Sequence, residues 1–281
     1  MTGPPAPRSR ARALGVDVGE LPAGPADAIT DVPGVRVGHV TCWSDDPMAR
    51  TGVTAILPDT LDGVFHRPPA AGVAVLNGVG ELTGSLSIAE LGFLDTPILL
   101  TGTPSVGRAF DAVVDAMFDA VPAVGVDDVA APVVGECNDA WLDDSRRRNV
   151  TVADCRAAID AAAPGPVAEG VVGAGTGMIA MEYKAGIGTA SRVLDGLGTV
   201  GVLVLANFGG RRQLRVAGRP VGRVLDDEAG AAGRGDGGSC IGIVMTDIPL
   251  DARQLSRVAR RVGLGLARVG SIAGNGSGDI F

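Results

Sequence analysis

Short apolar runs separated by turn-forming residues are the main pattern along this chain. Each run is rich in Val or Ile and is bounded by Gly, Pro or Asp, which is typical of a β-strand. The pattern therefore predicts strands over residues 35–40, 52–57, 72–76, 97–100, 200–206 and 241–246.

Three other segments have apolar residues at the i, i+3, i+4 spacing of an amphipathic helix. They follow Ser105, Thr151 and Asp251, whose side chains can cap a helix N-terminus, and Gln254 completes a capping box with Asp251. The predicted helices cover residues 106–121, residues 152–163, and a segment whose apolar face is Leu255, Val258, Ala259, Val262 and Leu266.

The order of these elements favours a layered α/β sandwich, because strands and helices mix without the strict alternation of a doubly wound sheet. At 281 residues, 46% of them hydrophobic, the chain can bury a large core. Glycine is abundant, at 43 residues, but it is spread among the apolar runs, which indicates tight turns. Residues 1–25, rich in Pro, Gly and Arg, are predicted to form a partly ordered arm before one domain over residues 26–281.

Charge and cysteine usage narrow the class of protein. The net charge of −8 argues against nucleic acid or an anionic membrane as a partner. No window reaches 18 apolar residues and no apolar segment follows the N-terminal arginines, so neither a membrane span nor a signal peptide is expected. The cysteines are too widely spaced for a zinc site or a disulfide framework, which predicts reduced thiols in a cytoplasmic protein; they are Cys42, Cys137, Cys155 and Cys240.

A candidate nucleophile stands where a glycine-rich loop, residues 226–238, meets the last predicted strand. Gly237 and Gly238 precede Ser239, and a serine hydroxyl at a strand start can attack its own preceding carbonyl. The break between Gly238 and Ser239 would free an α-amino group that can accept a proton. Cys240 is the competing nucleophile, although a residue inside a strand usually points into a core.

Histidine offers little help to such a nucleophile, because His39 and His66 are the only two in the chain. A structural position is the better interpretation for His39, and a loop position for His66. Ser277 and Asp279 offer another arrangement, a carboxylate that orients a second hydroxyl, but the same residues also suit a simple turn.

Two further polar residues end apolar runs. Asn207 can donate to an oxyanion or cap a strand end, and Glu136 can bind a substrate ammonium or lie in a solvated loop. The glycine-dense segments 173–177 and 274–278 lack the remaining residues of a phosphate-binding loop, so tight turns are the favoured interpretation.

These signals combine in a family resemblance. The chain resembles the DmpA-type L-aminopeptidase/D-esterase and β-peptidyl aminopeptidase family of self-processing serine hydrolases, peptidase family S58. The resemblance runs from about residue 12 to residue 281 and rests on ordered blocks at residues 28–39, 50–58, 77–84, 173–178, 186–193, 202–209, 259–265 and 274–281.

The resemblance implies a four-layer α/β/β/α sandwich similar to the N-terminal-nucleophile hydrolases but differently connected. It also implies an enzyme without metal or cofactor that acts on small peptides, amides or esters with a free, small N-terminal residue. A homo-oligomer of cleaved α/β protomers is expected. By position, the family's catalytic residues fall on Ser239, Ser277, Asp279 and Asn207, and its substrate-binding acid falls on Glu136.

Two departures from the family pattern qualify this expectation. Some members have a tyrosine where this chain has Asn138, so the substrate-binding role of that position is open. The family pattern also continues beyond the block that ends at Phe281, so the C-terminal part of the family domain is expected to be missing. The alternatives are an acyltransferase of the ornithine acetyltransferase type, which uses threonine as its nucleophile, and a non-catalytic small-molecule-binding protein.

Overall fold

A computed structural model describes residues 9–16, 18–229 and 237–281 of the chain. Its strands are β1 Arg36–Asp45, β2 Met48–Leu57, β3 Val75–Gly78, β4 Ile98–Gly102, β5 Val133–Cys137, β6 Ile179–Ala180, β7 Tyr183–Lys184, β8 Gly186–Leu194, β9 Gly198–Asn207, β10 Gly237–Thr246 and β11 Gly276–Ile280. Each of the six predicted runs overlaps one of these strands. Strands β5, β6, β7, β8 and β11 were not predicted.

The longer strands form two sheets. The first has the order β1-β2-β4-β5, and the second has the order β3-β11-β10-β9-β8. In the second sheet β10 pairs antiparallel with β9 and parallel with β11, so β10 is its central strand. The remaining short strands, β6 and β7, form a separate hairpin.

Seven α-helices occur among the described residues. They are α1 Leu61–His66, α2 Ser85–Leu91, α3 Val106–Ala120, α4 Val152–Asp160, α5 Val221–Ala229, α6 Ala252–Ala259 and α7 Arg261–Val269. Helices α3 and α4 cover the first sheet, and α6 and α7 cover the second. The resulting order of layers is α/β/β/α, as the family resemblance implies.

One apolar core fills the space between the sheets. Ile56, Leu100 and Cys137 from the first sheet meet Leu205 and Ile241 from the second, and all five are completely buried or nearly so. Because side chains alternate along a strand, Ser239 points to the same face as Ile241 and therefore toward the first sheet.

The predicted helix starts agree with the structure. Thr151 and Asp251 each accept a hydrogen bond from a backbone N–H of the first turn, and both belong to capping boxes. Ser105 precedes α3 but makes no side-chain cap. The second predicted helix is too long, because α4 ends at Asp160 and Ala163 instead exchanges backbone hydrogen bonds with Val37.

Three further sequence-based expectations differ from the structure. The third predicted helix is two helices, α6 and α7, which meet at Arg260. The predicted loop 226–238 begins inside α5 and ends inside β10, and its middle, residues 230–236, lies outside the described residues. His66, expected in a loop, is the last residue of α1.

The predicted arm is described only in part, since residues 1–8 and Asp17 lie outside the described residues. Arg10 connects the arm to the domain. Its guanidinium donates to the carbonyl of Thr189 at 2.8 Å and forms an ion pair with Glu169 at 2.7 Å. Among the described residues, no helix is long and apolar enough to cross a membrane.

Candidate active site

The candidate nucleophile, Ser239, lies near the start of β10 between two neighbouring strands. Its register partners are Asn207 on β9 and Gly278 on β11. Only 4% of the Ser239 surface is exposed. Gly238, on the N-terminal side of the predicted cleavage site, lies in the same strand.

Asn207 ends β9 and directs its amide at Ser239. One contact of Asn207 Nδ2 is the Ser239 Oγ at 3.2 Å, and another is the carbonyl of Asn138 at 2.9 Å. The Oδ1 atom accepts from the backbone N–H of Ile179 at 3.2 Å. Because both ends of the amide are held, one N–H remains aimed at the serine hydroxyl. This is the arrangement an oxyanion donor requires.

Ser277 and Asp279 lie on the opposite face of the second sheet from the Ser239 hydroxyl. Their register partners are Gly238 and Cys240, so strand alternation turns them toward the layer of α6 and α7. The Ser277 hydroxyl donates to Asp279 Oδ1 at 3.0 Å, and both residues are buried. Burial raises the pKa of Asp279, although the Ser277 hydrogen bond opposes that shift.

The Ser277 side chain therefore does not lie against the Ser239 hydroxyl but beside the preceding peptide. Ser277 and Gly238 line the same small cavity, of about 50 Å³, together with Phe208 and Gly209. A hydroxyl in this position is suited to proton transfer at the Gly238–Ser239 peptide, or at an α-amine formed there.

The segment before β11 is fixed by an amide on β3. Asn77 Nδ2 donates to the carbonyls of Ala273 and Gly274 at 2.9 and 3.1 Å. Farther along β11, Gly278 passes so close to β3 that an added Cβ would lie 2.3 Å from the carbonyl oxygen of Val79. Only glycine fits this contact, which brings the β11 backbone beside Ser239.

Glu136 comes from the first sheet and approaches the site from across the interface. Its carboxylate accepts the backbone N–H of Glu81 at 3.1 Å and a short hydrogen bond from the Thr103 hydroxyl. Only 5% of its surface is exposed. Gly80 separates the acid from β11, since a Cβ there would lie 3.1 Å from Glu136 Oε1 and 3.3 Å from Gly278 Cα.

Asn138 follows β5, and its backbone carbonyl is the group that contacts Asn207. The side chain is exposed, and its Oδ1 accepts the N–H of Ala140 at 2.9 Å. Its carbonyl is the group that accepts from Asn207. No contact between the Asn138 side chain and Ser239 occurs among the described residues.

The two cysteines nearest the site are buried. Cys240 is completely buried on the face opposite Ser239, and burial raises the pKa of its thiol well above the usual value. Cys137 is also completely buried, lies within hydrogen-bonding reach of Ser239, and has a thiol pKa raised by burial. Neutral, enclosed thiols are poor nucleophiles.

The histidines lie away from this constellation. His39 on β1 contacts Thr54 on β2, with 2.9 Å between Nδ1 and Oγ1, and burial lowers the pKa of the imidazole to about 4. His66 is exposed and lies 3.4 Å from Asp62 on the same helix.

Thr103, Glu81 and Asp139 are residues close to the site that the sequence analysis did not single out. Thr103 and Glu81 hold the Glu136 carboxylate, and Asp139 is buried directly after Asn138. None of them has a distinctive local pattern. The only available signal was an acid, Asp139, close to an apolar run with no basic residue nearby.

Comparison with known proteins supports the family resemblance over almost the whole chain. Residues 27–281 match Peptidase family S58. The chain is 44% identical over 294 aligned positions to the β-peptidyl aminopeptidase BapA of Sphingosinicella xenopeptidilytica, covering 96% of this chain and 72% of that protein.

Solved structures agree with this match. A Burkholderia sp. β-aminopeptidase superimposes with a TM-score of 0.90 at 48% identity, covering 97% of this chain and 76% of that one. The L-aminopeptidase D-Ala-esterase/amidase of Ochrobactrum anthropi, described as a prototype for the serine aminopeptidases and a new variant of the Ntn hydrolase fold, gives 0.87 at 41% identity, covering 98% and 77%. From its sequence, its layers and these matches, the chain belongs to Peptidase family S58.

Proposed function

We propose that this chain, an aminopeptidase of family S58, is a self-processing serine hydrolase with Ser239 as its nucleophile. The observation that carries the proposal is the 3.2 Å hydrogen bond from Asn207 Nδ2 to Ser239 Oγ. When the hydroxyl oxygen attacks a carbonyl, the same N–H can turn to the oxyanion that forms. The substrates are peptides and amides, together with esters, that carry a small N-terminal residue with a free amine.

Self-cleavage is the first reaction. The Ser239 Oγ bonds to the carbonyl carbon of Gly238, the carbon–nitrogen bond breaks, and the hydroxyl proton ends on the departing nitrogen. Water then hydrolyses the resulting ester. This step gives a Gly238 carboxylate and a Ser239 with both a free hydroxyl and a free α-amine. Ser277, hydrogen-bonded to Asp279 and adjacent to Gly238, is the nearby group through which the proton can pass.

Substrate hydrolysis then uses the same atoms. The Ser239 α-amine, or the Ser277–Asp279 pair, accepts the hydroxyl proton as Ser239 attacks the scissile carbonyl. The leaving amine or alcohol takes up a proton, and water releases the acyl group from the serine. Asn207 and a backbone N–H stabilise the oxyanion in both halves of the reaction.

Glu136 is proposed to bind the free amine of the substrate. Its carboxylate is oriented by the Glu81 N–H and the Thr103 hydroxyl, and only the Val79–Gly80 backbone separates it from Gly278. A carboxylate held in this way is suited to a charge-assisted hydrogen bond with an ammonium group. The exposed Asn138 side chain is proposed to border the same binding region.

The remaining expectations concern organisation. We propose that residues 26–281 act as one catalytic domain and that the cleaved protomers assemble as a homo-oligomer in the cytoplasm. The single domain is supported by the unbroken apolar core between the two sheets, the homo-oligomer by the family resemblance, and the cytoplasmic location by the wide spacing of the cysteines.

Intact-mass spectrometry of the folded full chain tests the proposal. We expect fragments of 238 and 43 residues that co-elute on gel filtration, since β10 is hydrogen-bonded to β9 along most of its length. A single intact mass, together with no turnover of a free-amine p-nitroanilide, would refute it. Transfer of acetyl from acetylornithine to glutamate would instead indicate the acyltransferase.

A further inference from the structure

Asp139 is a buried acid next to the site that the proposed mechanism does not use. Its surface is only 1% exposed, and its carboxylate accepts a short hydrogen bond from Thr51 on β2. Burial, assisted by the neighbouring Asp143, raises the pKa of Asp139 to about 6, against the opposing effect of Thr51. Burying an ionised carboxylate costs free energy, so the contacts of Asp139 are expected to serve a purpose that offsets this cost.

The position of Asp139 connects the two segments that hold Asn207. One segment is the end of β5, where the Asn138 carbonyl accepts from Asn207 Nδ2, and Asp139 is the next residue. The other is the Gly173–Gly177 turn with the start of β6, where Ile179 donates to Asn207 Oδ1. Asp139 packs against that turn, since a Cβ on Gly177 would lie 2.7 Å from the Asp139 Cβ.

Asp139 is itself immobilised from several directions. Its carboxylate lies against the end of β4, where a Cβ on Gly102 would lie 2.2 Å from Oδ2. Its carbonyl accepts the N–H groups of Leu142 and Asp143, both at 3.0 Å, and this closes the turn after β5. The carboxylate therefore joins β2, β4 and the Gly173–Gly177 turn to the loop behind the oxyanion amide.

We propose that Asp139 is a positioning residue that sets the direction of the Asn207 amide toward Ser239. The inference rests on the proposed function, because it assigns Asp139 an effect on the oxyanion that Asn207 stabilises. Loss of one oxyanion donor typically costs about 100- to 1,000-fold in kcat, and a misplacement of about 1 Å can cost about 100-fold. A misdirected Asn207 amide is still present, so the kcat loss should be smaller than the roughly 1,000-fold that complete loss of a donor can cause.

The test compares steady-state kinetics of full-chain variants at pH 8, where a carboxyl with a pKa of about 6 is ionised. With a free-amine p-nitroanilide as the probe, Asp139→Ala should lower kcat by about 10- to 100-fold and change KM less than threefold. Asp139→Asn keeps the shape and an acceptor for Thr51, so its kcat should stay within about threefold of the unmutated chain.

Asp31→Ala is the matched control. Asp31 also accepts several hydrogen bonds, from the N–H groups of Ala26 and Ala28 and from the Ser191 hydroxyl. It lies far from Asn207, since Ser191 pairs with Gly201 at the other end of β9. This variant should lower the Tm and leave kcat unchanged.

A double-mutant cycle separates positioning from general stability. If Asp139 acts through the amide, Asp139→Ala should add less than about threefold to the kcat loss of Asn207→Ala. Additive losses, an unchanged kcat for Asp139→Ala, or an Asn variant as poor as the Ala variant would each overturn the inference.

If Asp139→Ala does not fold, Thr51→Val replaces it. We expect Thr51→Val to lower kcat at least threefold, and an unchanged kcat would contradict the proposal. An unmutated chain that neither cleaves nor hydrolyses would count against the proposed function instead.

Discussion

At the scale of single residues, Ser239 and Cys240 are adjacent in β10 but have opposite surroundings. Ser239 faces the first sheet and accepts a hydrogen bond from Asn207, whereas Cys240 packs in the apolar layer under α6 and α7. Intrinsic reactivity favours a thiol, but burial keeps this one protonated. Under the proposed function, the face of the strand on which each side chain lies therefore favours Ser239 over Cys240 as the nucleophile.

This contrast predicts the outcome of two alanine substitutions. Ser239→Ala should abolish both self-cleavage and hydrolysis, because the attacking oxygen is lost. Cys240→Ala should retain both and lower the free energy of unfolding by about 1–2 kcal/mol, since it only leaves a small cavity. Intact mass and p-nitroanilide turnover measure the two activities. An inactive cysteine variant beside an active serine variant would reverse the assignment.

Glu136 is the second residue whose surroundings allow the effect of a substitution to be predicted. A charge-assisted hydrogen bond to a substrate ammonium contributes about 1.5–3 kcal/mol. Glu136→Gln should therefore lower kcat/KM for free-amine substrates by about 10- to 100-fold. Self-cleavage should continue, because the uncleaved chain presents no ammonium at this position.

N-acetylated substrates provide the control for Glu136. They should be poor substrates of both the unmutated chain and Glu136→Gln, since they have no charge to bind. Equal kcat/KM values for acetylated and free-amine substrates of the unmutated chain would remove the proposed role of Glu136.

At the scale of elements, β11 has an unusual composition for a strand between two neighbours. Its sequence, Gly276 to Ile280, contains two glycines, a serine and an aspartate, yet it pairs with β10 on one side and β3 on the other. The glycines have different roles. Gly278 lies against the backbone of Val79, whereas a Cβ on Gly276 would meet only the Gly237 Cα, at 3.6 Å.

The difference gives a matched pair of substitutions. Gly278→Ala would place its Cβ 2.3 Å from the Val79 carbonyl oxygen and should lower the free energy of unfolding by about 1–3 kcal/mol. It should also slow self-cleavage, since Gly278 is the register partner of Ser239. Gly276→Ala meets nothing closer than 3.6 Å and should change stability by less than about 0.5 kcal/mol. Urea unfolding and a cleavage time course check both; equal effects would contradict this account of the contact.

At the scale of the whole molecule, the site depends on both sheets. Ser239, Asn207 and the Ser277–Asp279 pair come from the second sheet, whereas Glu136 and Asn138 come from the end of β5 in the first. Any weakening of the core between the sheets should therefore affect catalysis as well as stability. The partly buried His39 makes one such effect dependent on pH.

Acid should destabilise the fold through His39. Burial lowers the pKa of this imidazole to about 4, from about 6.5 in the unfolded chain, so between these values only the unfolded chain binds the proton. The contribution is fully present above pH 6.5 and is lost as the pH falls toward 4. At pH 5 the loss should be about 2 kcal/mol relative to pH 7.5.

A difference measurement isolates this histidine, because Asp139 and Asp279, whose pKa values are raised, act in the opposite sense. His39→Gln retains a hydrogen-bonding group for Thr54 but does not titrate. The free energy of unfolding should therefore fall more between pH 7.5 and pH 5 in the unmutated chain than in His39→Gln. Parallel losses in the two proteins would show that His39 is not responsible.

Features that depend on neighbours within a few residues were predictable from the sequence. Apolar runs bounded by Gly, Pro or Asp became strands, and Thr151 and Asp251 became caps, because strand alternation and capping are local. The local pattern also marked Ser239 at the start of a strand. The family resemblance extended this to the layers of the fold and to the positions of the other candidate site residues.

Tertiary structure decided which of those residues meet. Periodicity does not identify β11 as a strand, because its pairing partners are β3 and residues 237–241 of β10, far away in sequence. Nor does it show that Ser277 faces away from the Ser239 hydroxyl, that the Asn138 carbonyl accepts a hydrogen bond from Asn207, or that Asp139 lies between two segments. These facts arise from strand register and from contacts between residues 28 to 88 positions apart, whose geometry is fixed only when the two sheets pack.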